Sequence, residues 1–119
     1  MIALLYVAPE IIRGEPYEYS ADIYTLGMLM YHMLTGNEPM TLQEEADRLS
    51  PRAIVFHGAR PNVTQLMRAK PEHASTADMM QKTLAEILQA CWHENPAYRP
   101  TSQDIVMLLT RKKTSFRNL

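Results

Sequence analysis

A chain of 119 residues with 46% hydrophobic residues is long enough for one compact domain and too apolar for an intrinsically disordered segment. Twelve lysine and arginine residues nearly balance thirteen aspartate and glutamate residues, so the formal net charge is only -1. This balance excludes the strongly basic composition that is typical of nucleic-acid and anionic-membrane binding. Cys91 is the single cysteine, which excludes an internal disulfide and favours a reducing compartment.

No segment has the pattern of a membrane span or a signal sequence. The longest apolar stretch, Ile23–Leu34, is about a dozen residues long, whereas a bilayer span needs about 20. Thr25 and His32 also interrupt it, so a buried helix is the better interpretation. Met1–Ala8 is apolar, but it is too short for a signal sequence and has no basic region. We therefore expect no membrane segment in this chain.

The first predicted elements are a loop and a long helix. Ile11–Tyr19 is predicted to be a loop, because glycine and proline break any periodic pattern there. Ser20 is predicted to cap a helix that begins at Ala21 and ends at Gly36. Because Ile23–Leu34 is apolar on nearly every face, this helix is expected to be buried in the core. Three methionines are expected to fill that core, namely Met28, Met30 and Met33.

The middle of the chain is predicted to contain two short helices and a polar connection. Thr41–Leu49 begins with the spacing of a capping box and is predicted to be helical. Ser50-Pro51 starts a second helix, since proline suits the first helical position. Gly58–Pro61 is predicted to be a turn, and Asn62–His73 a polar connection.

Two further helices are predicted in the last third of the chain. Ser75–Asp78 has the pattern of a helix N-terminus, and Asn95-Pro96 is predicted to end that helix. Its apolar face comprises Met80, Leu84, Ile87, Leu88 and Cys91. Thr101–Asp104 is predicted to cap the last helix, which directs Ile105, Leu108 and Leu109 inward and ends near Arg111–Lys113. No strand of useful length is predicted, so the fold class is all-α.

Three segments resemble, in this order, landmarks in the C-terminal lobe of eukaryotic-type protein kinases. They are YVAPEIIRGEPY from Tyr6, YSADIYTLGMLMYHMLTG from Tyr19 and CWHENPAYRPT from Cys91. Ala-Pro-Glu alone is a weak signal, but the three landmarks together are specific. The resemblance covers Leu5 to about Leu109 and is weakest over Asn37–Ser75. It implies a partial kinase domain over residues 1–113, with a C-terminal tail at 114–119, that lacks the N-terminal lobe and the catalytic loop.

The resemblance also implies roles for individual residues. Residues with a structural role are Ala8, Pro9, Glu10, Asp22, Gly27, Trp92 and Arg99, and those near the substrate-binding loop are Leu5, Tyr6 and Val7. In the family, the glutamate at Glu10 pairs with the arginine at Arg99, and the tryptophan at Trp92 packs near that pair. Asp22 corresponds to a carboxylate that accepts hydrogen bonds from the catalytic loop. Without the resemblance, Glu10 and Arg99 read as surface charges, and Asp22 as a charge that stabilises the helix dipole.

The residues that handle ATP in this family are absent from the sequence. Phosphoryl transfer needs a Gly-rich loop, a strand lysine, a catalytic-loop aspartate and an Asp-Phe-Gly aspartate for magnesium. The four glycines are dispersed, and neither His-Arg-Asp nor Asp-Phe-Gly occurs. Ile2 and Ala3 stand where Ser/Thr kinases carry Gly-Thr. Cys91 and the histidines lack zinc-ligand spacing. We therefore expect no catalytic, cofactor-binding or metal-binding residue in this chain, with ATP and Mg bound elsewhere in the parent kinase.

Two functions are compatible with these features. The first is a fragment of a protein Ser/Thr kinase that anchors the substrate-binding loop and is inactive alone. Tyr6 and the pair Cys91-Trp92 favour the tyrosine-kinase-like group. Its partners would be the rest of the kinase domain and a protein substrate, without nucleic acid, on the cytoplasmic side of a parent that is soluble or membrane-anchored. The alternative is a non-catalytic helical interaction module, a pseudokinase-like remnant.

Overall fold

The computed structural model describes residues 6–36, 50–67 and 76–110. The described residues form five α-helices, which are α1 (Pro9–Ile12), α2 (Ser20–Thr35), α3 (Pro51–His57), α4 (Thr76–Cys91) and α5 (Ser102–Thr110). Single 3₁₀ turns occur at Thr64–Met67 and Pro96–Tyr98. No strand occurs in these ranges, which confirms the all-α prediction.

Helices α2 and α4 pack against each other at the centre of the fold. Their contact is made by fully buried side chains, which are Tyr24 and Met28 from α2 and Ile87, Leu88 and Cys91 from α4. A Cβ atom added at Gly27 would lie 2.9 Å from Cys91 Cβ and 3.0 Å from the Leu88 carbonyl oxygen. The two helices therefore approach so closely that any side chain at position 27 would force them apart.

Several predicted helix ends are confirmed. Gly36 ends α2 with a positive φ of 73°, which glycine adopts without steric cost. The Ser50 hydroxyl accepts a hydrogen bond of 3.1 Å from the Ala53 amide at the start of α3. At the start of α5, Thr101 and Asp104 exchange two hydrogen bonds, each 3.0 Å long, between side chain and backbone amide. Such reciprocal caps satisfy amide groups that have no partner within the helix.

Three predicted boundaries are wrong. Ile11 and Ile12 belong to helix α1 and not to a loop, because Pro9 occupies the first turn and pre-sets the helical φ angle. Ser20 is the first residue of α2 and not its cap, since Tyr19 precedes it in the capping position without a side-chain bond. Helix α4 ends at Cys91, before Asn95. The Asn95 side chain instead accepts from the Ala97 amide at 3.0 Å and caps the following 3₁₀ turn.

The apolar faces of the helices are less buried than predicted. Met33 is 73% exposed and Leu29 46%, so α2 is apolar on nearly every face but is covered on only one side by described residues. Met80 on α4 and Leu109 on α5 are 42% and 40% exposed, although both were predicted to face inward. Apolar character along a helix therefore did not reveal which of its side chains the rest of the fold covers.

Some predictions lie outside the described residues. They concern the helix at Thr41–Leu49, the positions Ile2, Ala3 and Leu5, the cap at Ser75, and residues 111–119. Within the described residues, no helix is long and apolar enough to cross a bilayer.

Candidate functional site

Glu10 and Arg99 form a buried ion pair. Glu10 lies in the first turn of α1, and Arg99 follows the turn Pro96–Tyr98. Arg99 donates two parallel hydrogen bonds to the carboxylate, from Nη1 to Oε2 at 2.7 Å and from Nη2 to Oε1 at 2.9 Å. The two residues are only 2% and 6% exposed. The structure thus brings together the two charges that the sequence pattern relates, in the bidentate geometry that gives the strongest guanidinium–carboxylate contact.

The Arg99 guanidinium also binds two backbone carbonyl groups. Its Nε donates to the His93 carbonyl at 2.9 Å, and Nη1 donates to the Ser20 carbonyl at 3.0 Å. One side chain therefore connects α1, the start of α2 and the segment that follows α4. Because the guanidinium is completely buried, removal of either charge would leave the other without a partner in a poorly solvated site.

The pKa of Glu10 is held below its ordinary value of 4.5. Burial alone would raise this pKa, because it disfavours the charged carboxylate. The hydrogen bonds from Arg99 and from the Glu10 backbone amide, with the positive charges of Arg99 and Arg13, outweigh that effect. Glu10 is therefore ionised at neutral pH and contributes to stability in that form.

Two guanidinium groups lie close to the ring of Tyr24. The Cζ atoms of Arg60 and Arg99 each lie 5.1 Å from the centroid of its ring, within the range of a cation–π contact. The ring is fully buried, and burial raises the pKa of its hydroxyl to about 12. This hydroxyl has no hydrogen-bond partner among the described residues. The phenol therefore remains neutral at neutral pH, and its ring contacts both positive charges.

A second charged cluster joins Arg13, Arg60 and Glu94. Glu94 accepts from Arg13 Nη1 at 3.1 Å and from Arg60 Nη2 at 2.9 Å. Arg60 also donates from Nε to the Trp92 carbonyl at 2.9 Å, and Arg13 donates from Nη1 to the Val55 carbonyl at 2.6 Å. Hydrogen bonding to Glu15 raises the pKa of Arg13, against burial, with Glu94 contributing in the same direction. This cluster attaches α3 and the turn after it to α1 and to the end of α4.

Sequence reasoning did not identify these three residues. Each is a charged residue in or beside a turn, and such residues are usually solvated. The one signal was Arg60-Pro61 at the end of a predicted turn, but a turn does not reveal which carbonyl or carboxylate an arginine will meet. The partners are distant in sequence, since Arg13 and Glu94 are 81 positions apart.

The other residues of the predicted site occupy different environments. Ala8 and Pro9 are buried beside Glu10. Asp22 is exposed, and its carboxylate has no hydrogen-bond partner among the described residues. Trp92 is 5% exposed, and its ring lies 6.2 Å from that of Tyr31. Trp92 therefore packs against α2 at Tyr31. Tyr31 lies about two helical turns after Tyr24, the residue whose ring contacts Arg99.

The segment that precedes α1 lies along helix α2. Tyr6 and Val7 are partly buried. The Tyr6 hydroxyl is 3.3 Å from His32 Nδ1, and the Thr25 hydroxyl donates to the Tyr6 carbonyl. These contacts fix the position at which the chain enters α1, and therefore the position of Glu10.

No group of three His, Cys, Asp or Glu residues in the described ranges could hold a metal ion.

Comparison with known proteins places these features in a family context. The family model described as protein kinase domain matches residues 1–108. The chain is 31% identical over 109 residues to a protein kinase and PP2C-like domain-containing protein of Arabidopsis thaliana, covering 89% of the chain and 16% of that protein. It is 29% identical over 112 residues to the mitogen-activated protein kinase kinase kinase mom-4 of Caenorhabditis briggsae, covering 94% of the chain and 18% of that protein. It is 26% identical over 106 residues to the serine/threonine-protein kinase STY17 of Arabidopsis thaliana, covering 89% and 16%. The chain thus spans less than a fifth of each of these relatives.

Proposed function

Because this chain belongs to the protein kinase domain family, we propose that it is the C-terminal part of the C-terminal lobe of a protein Ser/Thr kinase. In this proposal it anchors the substrate-binding loop and supplies the helical scaffold on which that loop rests. The complete kinase transfers the γ-phosphate of ATP to protein hydroxyl groups. ATP and magnesium bind to other parts of that kinase, because the residues that would hold them are absent from these 119 residues.

The observation that carries the proposal is the buried pair of Glu10 and Arg99. A carboxylate that follows Ala8-Pro9 is fixed to a guanidinium in the segment before the last helix by bonds of 2.7 and 2.9 Å. The backbone just before Glu10 therefore has little freedom to move relative to α2. A loop that must present a hydroxyl group in line with a phosphate needs such a rigid attachment, because catalysis of this kind depends on positioning.

The uncovered face of α2 supports the same proposal. Asp22, Leu26, Leu29 and Met33 follow one another at helical spacing along this face, and Leu29 and Met33 are largely exposed. A helix that is apolar on all sides needs neighbours on all sides. We propose that the rest of the kinase domain covers this face, and that the Asp22 carboxylate accepts hydrogen bonds from the backbone of the catalytic loop.

We propose further that the parent kinase belongs to the tyrosine-kinase-like group. Tyr6 two positions before Ala8, and the adjacent Cys91 and Trp92, are the residues that favour it. Both Cys91 and Trp92 are buried, so these side chains contribute to the core. The proposed location is the cytoplasm, or the cytoplasmic side of a membrane if the parent is anchored there.

Sequencing of the transcript upstream of the codon for Met1 tests the proposal directly. An in-frame segment that encodes His-Arg-Asp and Asp-Phe-Gly is the expected result. The longer reading frame should then phosphorylate a Ser/Thr substrate, and Arg99→Ala should reduce that activity while Tyr98→Ala, a change at an exposed neighbour, should not. An in-frame stop codon directly upstream would contradict the proposal and favour the non-catalytic interaction module.

A further inference from the structure

A groove of about 540 Å³ lies beside the buried ion pair and has no role in the function proposed above. One wall is the loop between α1 and α2, with Pro16, Tyr17, Glu18 and Tyr19, and the other is formed by the turn that contains Pro96. Glu10 and Arg99 form part of its lining. Ser20, the first residue of α2, and Thr101, the residue before α5, complete the lining.

Arg99 holds both walls in place. Its guanidinium donates to the Ser20 carbonyl at the end of the first wall and to the His93 carbonyl near the start of the second. The Asn95 side chain caps the turn of the second wall through the Ala97 amide. The walls are thus preorganised, which lowers the entropy that a ligand must overcome when it binds.

The walls present rings and a negative charge. Tyr17 and Tyr19 are each 63% exposed, so their faces are available to a ligand. Pro16 and Pro96 are rigid and apolar, and Pro16 has no amide hydrogen to donate. Of the charges in the described lining, Glu10 and Arg99 neutralise each other, so Glu18 gives the groove a net negative charge.

We propose that this groove binds a proline-rich segment of a partner protein that carries an arginine. Grooves lined by aromatic rings recognise proline-rich segments, because the polyproline II helix is already extended and loses little entropy on binding. The tyrosine faces attract a guanidinium through cation–π contacts, and Glu18 attracts the same charge. Two rings, rigid apolar walls and one unpaired carboxylate together favour this ligand over an acidic or a helical one. The inference rests on described residues alone and holds whether or not the complete protein is an active kinase.

The test is fluorescence anisotropy with the 119-residue chain and a labelled peptide of about ten residues, in which arginines flank a Pro-x-x-Pro core. A matched peptide has glutamate in place of each arginine. The variants are Tyr17→Ala and Glu18→Lys, and the matched control is Tyr98→Ala, because Tyr98 is 68% exposed on the second wall's turn but is not part of the groove lining. Far-ultraviolet circular dichroism verifies that each variant keeps its helical content.

The arginine peptide should bind, and the glutamate peptide should not. Tyr17→Ala and Glu18→Lys should each weaken binding about tenfold, which corresponds to about 1.4 kcal/mol, while Tyr98→Ala should change it less than about twofold. The proposal is overturned if the folded chain does not bind the arginine peptide, or if both peptides bind equally. It is also overturned if Tyr98→Ala weakens binding as much as Tyr17→Ala, or if the Tyr17→Ala and Glu18→Lys chains remain folded and bind as well as the original.

Discussion

Arg99 and Glu10 are 89 positions apart in the chain, yet two parallel hydrogen bonds join the guanidinium of one to the carboxylate of the other. The pair connects the first described helix to the segment before the last one, because Glu10 lies in α1 and Arg99 precedes α5. It also lies against Tyr24, whose ring centroid is 5.1 Å from the Cζ atoms of both Arg99 and Arg60. A substitution of either residue should therefore reduce the stability of the whole described fold, and not only of the segment that carries the residue.

The first prediction concerns the energy of this pair. Arg99→Ala and Glu10→Ala should each reduce the free energy of unfolding by about 3–5 kcal/mol, because each leaves a buried charge without its partner. The double variant should be little worse than either single variant. Urea unfolding of all four chains gives the coupling energy, with Arg52→Ala at an exposed position as control. Additive losses in the two single variants would contradict the pairing.

The pH dependence of stability provides a second prediction. The pKa of Glu10 is lower in the folded chain than its ordinary value of 4.5, so the unfolded chain binds a proton first as the pH falls. The stabilisation from Glu10 should be complete above about pH 4.5 and should be lost progressively as the pH falls from there through the folded pKa. Urea unfolding of the original chain and of Glu10→Gln between pH 6 and pH 3 measures the difference. The curve of Glu10→Gln should be flatter in this range, and parallel curves would refute the prediction.

Gly27→Ala is the third test and concerns the contact between α2 and α4. The new methyl group would meet Cys91 Cβ at 2.9 Å and the Leu88 carbonyl oxygen at 3.0 Å. Forced overpacking of this kind costs about 1–3 kcal/mol, whereas alanine gains about 1 kcal/mol over glycine in helix propensity. We expect net destabilisation in urea unfolding, with a change below about 0.5 kcal/mol for Leu29→Ala on the exposed face of the same helix. A Gly27→Ala chain that is more stable than the original would show that the helices can separate without cost.

Local features of the fold were predictable because they depend on neighbouring residues. Gly36 ends α2, Ser50 caps α3, and Thr101 with Asp104 caps α5, each through atoms at most four positions away. The type of each described helix follows from such signals and from apolar spacing. Ser20 was assigned as a cap because serine often is one, but Tyr19 occupies that position and the Ser20 carbonyl binds Arg99.

Features that depend on distant residues were predictable only through the family resemblance, or not at all. The pair of Glu10 and Arg99 followed from the resemblance, since two charges 89 positions apart give no local signal. The cluster of Arg13, Arg60 and Glu94 had no such motif and was missed. The burial of Met33 was overestimated, because apolar character alone does not reveal whether a neighbouring element is present to cover a helix.

The fourth prediction is that the 119-residue chain does not transfer phosphate by itself. It contains neither the aspartates that hold magnesium and accept the hydroxyl proton nor the lysine that binds the nucleotide in this family. Incubation with labelled ATP, magnesium and a generic protein substrate should give no more labelled product than buffer alone. Labelled product above that background would disprove the prediction if it disappeared with Glu10→Ala, because a contaminating kinase would not respond to that substitution.

The last prediction concerns the uncovered face of α2. Leu29 and Met33 are 46% and 73% exposed on this face, and Leu26 between Asp22 and Leu29 is only partly buried. Apolar surface contributes about 25 cal/mol per Å² when it is removed from water, so an uncovered face of a few hundred Å² forfeits several kcal/mol. Since a domain is stable by only about 5–15 kcal/mol, the folded 119-residue chain should associate through this face, which removes these side chains from water.

Size-exclusion chromatography and binding of a hydrophobic dye measure this behaviour. The chain should elute larger than a monomer or bind the dye strongly, and the double variant Leu29→Lys with Met33→Lys should shift the elution towards the monomer and bind less dye. Gln103→Lys at an exposed position of α5 is the control for added positive charge, and it should change neither property. A monomer with a sharp cooperative melt and no dye binding would show that this face needs no cover. That result would favour a stand-alone helical module over a scaffold that is completed by the rest of a kinase domain.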